Sequence, residues 1–92
     1  MKIMGLETLD AFCSKHADVR KWVGTWKLDV EAAQWNGPQD IKNRYSTVSF
    51  LSANMVIFNV KGNTYRLETK VNYQTKMVLI KWAGTHAEYD RR

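Results

Sequence analysis

The sequence predicts an α+β fold class in which two N-terminal helices pack on a C-terminal antiparallel β-sheet. Two observations carry that prediction. Apolar residues recur at helical spacing as far as Ala33, whereas from Val48 onward the chain consists of short β-branched and aromatic runs separated by hairpin-length connections. Helices first and linked strands afterwards place the helices on one face of the sheet.

Leu6, Leu9, Phe12 and Cys13 recur at helical spacing with Glu7, Asp10 and Lys15 between them, so Gly5 to Lys15 reads as an amphipathic helix. After His16 and Ala17, Asp18 is a candidate cap for a second helix. Its inner stripe is Trp22, Val23, Trp26, Val30 and Ala33, and its polar side carries Arg20, Lys21, Lys27, Asp29 and Glu31. Asn36-Gly37-Pro38 then ends the helical region, because proline lacks the N–H that the ladder requires.

Val48 and Phe50 begin a short strand, followed by strands over Met55 to Val60, Thr64 to Tyr73 and Met77 to Ala83. Ser52-Ala53-Asn54, Lys61-Gly62-Asn63 and Gln74-Thr75-Lys76 connect them, with Gly62 and the asparagines suited to positive φ. The expected topology is an antiparallel meander. In the third strand Tyr65, Leu67, Thr69, Val71 and Tyr73 alternate with Thr64, Arg66, Glu68, Lys70 and Asn72, so Arg66 and Lys70 share the polar face.

A chain of 92 residues is long enough for one domain, taken as 1–92, and too short for two. No uncharged apolar run reaches membrane-spanning length, and Met1 to Asp10 lacks a signal-peptide core, so a cytoplasmic protein without a membrane partner is expected. The single cysteine, Cys13, forms no internal disulfide and has no metal-ligand neighbours. No metal or other cofactor is called for.

The formal charge of +5 is unevenly distributed. Up to Val60 seven Lys/Arg nearly balance six Asp/Glu, whereas from Lys61 onward seven cations face only Glu68, Glu88 and Asp90. Such a cationic C-terminal third suits a polyanion, above all RNA. Lys61, Lys70, Lys76 and Arg91 are the candidate RNA-binding positions. Near hairpins, however, lysines also protect edges and aid solubility.

Four residues stand out chemically. Lys81 interrupts the apolar run from Met77 to Trp82 and should emerge at an open surface or cleft. Arg66 offers a bidentate clasp for phosphate, with an ion pair to Glu68 or Glu88 as the simpler alternative. His86 carries an imidazole, a group type that can donate or accept a proton at cytosolic pH, or it could sit as a loop cap. Tyr89 could stack on a base, or anchor the tail on the sheet. Together these residue types allow metal-free RNA cleavage, in which the ribose 2′-OH attacks the adjacent phosphate. A noncatalytic nucleic-acid-binding module, or an interaction module whose basic face is neutralised by an acidic partner segment, is the alternative.

Phe58-Asn59-Val60-Lys61-Gly62-Asn63-Thr64-Tyr65-Arg66-Leu67, followed by Lys81-Trp82-Ala83-Gly84-Thr85-His86-Ala87-Glu88-Tyr89-Asp90, resembles the HigB-type toxins of the RelE superfamily. The resemblance is dense in the C-terminal half. It implies a RelE-like fold and a type II toxin that cleaves mRNA on the translating ribosome. It further implies a HigA-like helix-turn-helix antitoxin as partner, with operator DNA bound only through the toxin–antitoxin complex. The positions that match the family's basic and aromatic site are Arg66, Lys81, His86 and Tyr89. On that resemblance Arg66 and Lys81 would stabilise phosphate, His86 would transfer protons and Tyr89 would orient the substrate.

Overall fold

The computed structural model describes residues 1–92. Strand β1 (Lys2–Met4) leads into α1 (Leu6–Lys15), a 3₁₀ turn (Ala17–Val19), α2 (Arg20–Ala32) and α3 (Pro38–Arg44). Then come β2 (Ser49–Phe50), β3 (Met55–Val60), β4 (Tyr65–Asn72), β5 (Met77–Thr85) and a short α4 (His86–Asp90). The sheet has five strands in the order β1-β5-β4-β3-β2. Strands β2 to β5 form the expected antiparallel meander.

The prediction of a wholly antiparallel sheet is corrected by β1, which pairs parallel with β5 through Lys2–Met77, Ile3–Val78 and Met4–Leu79. Three residues carry too little alternation to be read as a strand, and their partner lies at the far end of the chain. Gly5 turns the chain from β1 into α1 at φ +86°. A Cβ there would stand 2.9 Å from the Ile80 carbonyl oxygen, so the turn requires glycine on both conformational and steric grounds. The Met1 amino group donates to the Val30 carbonyl at 3.1 Å and the Ala33 carbonyl at 2.6 Å, matching positive charge to the C-terminal end of α2.

Two further expectations need correction. Pro38 does not end the helical region; it occupies the first turn of α3, where a missing N–H costs nothing and its fixed φ favours helix. Ile41 of α3 is fully buried. Asp18 does not cap α2. It accepts instead from the Tyr65 hydroxyl at 3.0 Å and pairs with Lys61 at 3.7 Å.

One face of the sheet joins the helices in a single core. Leu9 and Phe12 of α1, and Val23, Trp26 and Val30 of α2, pack with Val56, Phe58 and Val60 of β3, Tyr65, Leu67 and Val71 of β4, and Val78 and Ile80 of β5. Thr69 is the buried polar residue of that face, and its hydroxyl donates to the Val56 carbonyl at 3.0 Å. Tyr65 therefore belongs to the interior.

The opposite face bears Arg66, Glu68 and Lys70 of β4, and its geometry depends on an irregularity in β5. Thr69 pairs with Ile80 and Glu68 with Trp82, leaving Lys81 as an unpaired extra residue. Such a bulge shifts the alternation by one position. Ile80 stays in the core with Val78, whereas Trp82, beyond the bulge, crosses to the open face beside Glu68. Gly84, opposite Arg66, makes room for the indole: a Cβ at Gly84 would lie 2.8 Å from Trp82 ring atoms.

Candidate functional site

The open face becomes a site because α4 folds back over the end of β5. Its start is built by a capping box: the Glu88 N–H donates to the Thr85 hydroxyl at 3.1 Å, and the Thr85 N–H donates to the Glu88 carboxylate at 2.8 Å. These bonds, followed by the Lys15 ammonium at 3.6 Å, lower the Glu88 pKa below its ordinary value of 4.5. Because the folded-state pKa is depressed, the stabilisation is complete above the unfolded value and disappears as pH falls through the folded value. Urea midpoints of wild type and Glu88→Gln are expected to differ at about pH 7 and to converge as pH falls and the carboxylate is protonated in the folded protein. A gap that widens in acid would show that the carboxylate charge does not hold the cap.

The cap sends His86, Tyr89 and Asp90 across the sheet. The Arg66 Nη2 lies 2.7 Å from His86 Nε2, and His86 Nδ1 lies 3.0 Å from an Asp90 carboxylate oxygen. A guanidinium only donates, so Nε2 is the acceptor and Nδ1 carries the hydrogen donated to Asp90. The partners thus assign His86 as the neutral Nδ1–H tautomer. The Arg66 guanidinium also stacks on the Tyr89 ring at 4.9 Å.

Neither carboxylate suggested as an ion-pair partner for Arg66 takes that role. Glu88 belongs to the cap, and Glu68 accepts from Arg92 Nη1 at 2.9 Å. Arg66 Nε is buried without a hydrogen-bond partner. An arginine held by an aromatic ring and a neutral imidazole, with no carboxylate paired to it, retains its capacity for an anionic oxygen.

A layer of stacked groups extends this arrangement. Arg92 lies over Trp82 at 4.7 Å and over Tyr89 at 5.8 Å, while Trp82 and Tyr89 themselves approach to 5.8 Å. Sequence reasoning singled out Arg66, His86 and Tyr89, which the fold brings together. It named Trp82 as a possible stacking surface, and it did not place Asp90, Glu68 or Arg92 in the site. The Thr85-x-x-Glu88 spacing was the available signal, because a helix starting there places Asp90 one turn beyond His86.

The remaining predicted cations are dispersed. Lys81 projects at the bulge into a cavity of about 470 Å³ between α1 and β5, lined also by Lys15, His16, Trp82 and Glu88. Lys70 is exposed on the open face, and Arg91 is exposed at the end of α4. Lys61 borders a separate cavity of about 450 Å³ beside Trp22 and Trp26. Lys76 is engaged with the chain itself: its ammonium donates to the Trp35 carbonyl at 2.9 Å and to Asn36 Oδ1 at 2.6 Å. No three His, Cys, Asp or Glu side chains converge as a candidate metal site. No helix is long and apolar enough to cross a membrane.

The comparison with curated proteins finds no match. Residues 16–92, from the end of α1 to Arg92, match the family model described as HigB_toxin, RelE-like toxic component of a toxin-antitoxin system. With most of the chain matched, including every residue of the Arg66, His86, Tyr89 and Trp82 cluster, the protein belongs to the HigB-type toxins of the RelE superfamily.

Proposed function

We propose that this toxin is an mRNA endonuclease acting on the translating ribosome, with Arg66 and His86 at its reacting centre. The observation that carries the reading is the 2.7 Å contact between Arg66 and His86 Nε2, with the far side of the imidazole fixed by Asp90. A phosphate that draws the guanidinium onto its oxygens releases the Nε2 lone pair beside the same phosphate. His86 then accepts the proton of the ribose 2′-OH as its oxygen attacks phosphorus. The bond to the 5′-oxygen breaks, that oxygen takes up a proton from solvent, the proton on His86 returns to solvent, and the products are a 2′,3′-cyclic phosphate and a 5′-hydroxyl. Arg66 stabilises the charge gathering on phosphorus.

Tyr89 holds the guanidinium by its ring face and so positions Arg66. Lys81, Lys70 and Arg91 supply cations for flanking phosphates, with Lys81 approaching from the α1 side of β5. Lys61 is placed to bind a more distant part of the strand. A toxin in such a system has an antitoxin partner. We assign it the HigA-like helix-turn-helix type, with operator DNA contacted by the complex and the cytoplasm as the place of action.

The reading is tested by inducing the toxin without its antitoxin and mapping mRNA 5′ ends. Wild type is expected to create new 5′-hydroxyl ends within translated frames, and His86→Ala to reduce their rate roughly 10²-fold. Growth arrest with intact transcripts would rule out the nuclease. Ribosome or RNA binding without product would identify a noncatalytic module.

A further inference from the structure

Glu68 is anomalous in a stripe otherwise built to attract phosphate. It lies between Arg66 and Lys70 on the open face of β4, directly across from Trp82 on β5, and its side chain is only 13% exposed. Its carboxylate accepts from Arg92 Nη1 at 2.9 Å while the Arg92 guanidinium carbon lies over the Trp82 ring, 4.7 Å from its centroid. A planar group placed over an indole and presenting an N–H donor to a carboxylate oxygen has a bonding pattern that a nucleobase edge can reproduce, and the second carboxylate oxygen takes no hydrogen bond from Arg92.

We propose that Trp82 and Glu68 form a guanine subsite, in which the Arg92 guanidinium occupies the place of the base and leaves when RNA binds. The inference rests on the reading that single-stranded RNA is the substrate, and it names the base read beside the reacting phosphate. A carboxylate only accepts hydrogen bonds. The Watson–Crick edge of guanine offers two adjacent donors, N1–H and the exocyclic amino group, which fit both carboxylate oxygens. Adenine and cytosine offer one donor beside a lone pair that would face the carboxylate, and uracil offers one donor flanked by two carbonyl oxygens. Glu68 therefore accepts guanine fully and rejects the other three bases.

The covering group is readily exchanged. Arg92 is 42% exposed, and an ion pair in contact with water contributes little. Base stacking on an aromatic ring is stronger and independent of sequence. Discrimination then rests with Glu68, with Trp82 as the platform. Bulge formation at Lys81 is what brings Trp82 to this face, so the subsite follows from the same irregularity that displaces Lys81.

The test uses 2′-O-methyl pentaribonucleotides, which lack the attacking hydroxyl, with G, A, C or U at the centre of an otherwise uridine sequence. Wild type is expected to bind the G pentamer roughly tenfold or more tightly than the other three, the discrimination typical of a bidentate base contact. Glu68→Gln, which presents one acceptor and one donor, should lose that preference and move toward adenine and cytosine. Arg92→Ala should retain the preference while binding all four pentamers more tightly, because the competing guanidinium is gone. Equal binding of all four pentamers by wild type, or a G preference that survives Glu68→Gln in a folded variant, would overturn the subsite. Cleavage of matching unmodified RNA is measured separately: cutting without base preference sinks the subsite alone, and preference without cutting sinks the nuclease reading alone.

Discussion

Replacing Arg66 by alanine is expected to lower mRNA cleavage by roughly 10³-fold, the upper end of what one preorganised donor to a developing oxyanion contributes. The expected effect exceeds that of His86→Ala because Arg66 has three connections to the site. It would contact the phosphate, and it also bonds His86 Nε2 and stacks on Tyr89. Arg66→Lys keeps the charge and loses the planar fork, so it should recover only part of the rate. The fold should tolerate both changes, since Arg66 lies outside the hydrophobic core and bonds to no carboxylate. Wild-type cleavage by a folded Arg66→Ala variant would remove Arg66 from the reacting centre.

Much of this molecule is legible in local sequence pattern. Helices α1 and α2 follow from the Leu9, Phe12 and Val23, Trp26, Val30 stripes, and β3 to β5 from alternation and hairpin spacing. What escapes the pattern depends on partners distant in sequence. Lys2 to Met4 become a strand only against Met77 to Leu79. Pro38 opens a helix because Ile41 finds a buried place, not because the Asn36-Gly37-Pro38 signal changes meaning. Similarly, Arg66 and His86 are recognisable as chemical types, but their contact requires the Thr85–Glu88 cap. The role of Lys81 is the least legible, because an unpaired residue in a bulge has no signature in alternation.

Phe58 lies within the Phe58 to Leu67 stretch that resembles the toxin family, yet its place in the fold is structural. It is 1% exposed and touches three other rings: Trp26 edge-on at 5.4 Å, Tyr45 edge-on at 5.3 Å and Trp35 stacked at 6.5 Å. It therefore joins α2, the Trp35 segment and the residue after α3 to the sheet. Phe58→Ala removes all three contacts and leaves a cavity, costing about 3–5 kcal/mol. A chain of this size has roughly 5–14 kcal/mol of stability in total, so the loss is a large share of it. Phe58→Leu keeps most of the volume and should cost about 1–2 kcal/mol. Urea unfolding of the three proteins measures both differences, and costs below 1 kcal/mol for Phe58→Ala would show that the aromatic cluster is not a keystone. The cleavage data then separate structure from chemistry. Phe58 pairs with Leu67, between Arg66 and Glu68, so unfolding at Phe58 disperses the site as well. Activity of Phe58→Ala should fall with its folded fraction and return on cooling, whereas that of Arg66→Ala should stay low however fully the protein is folded.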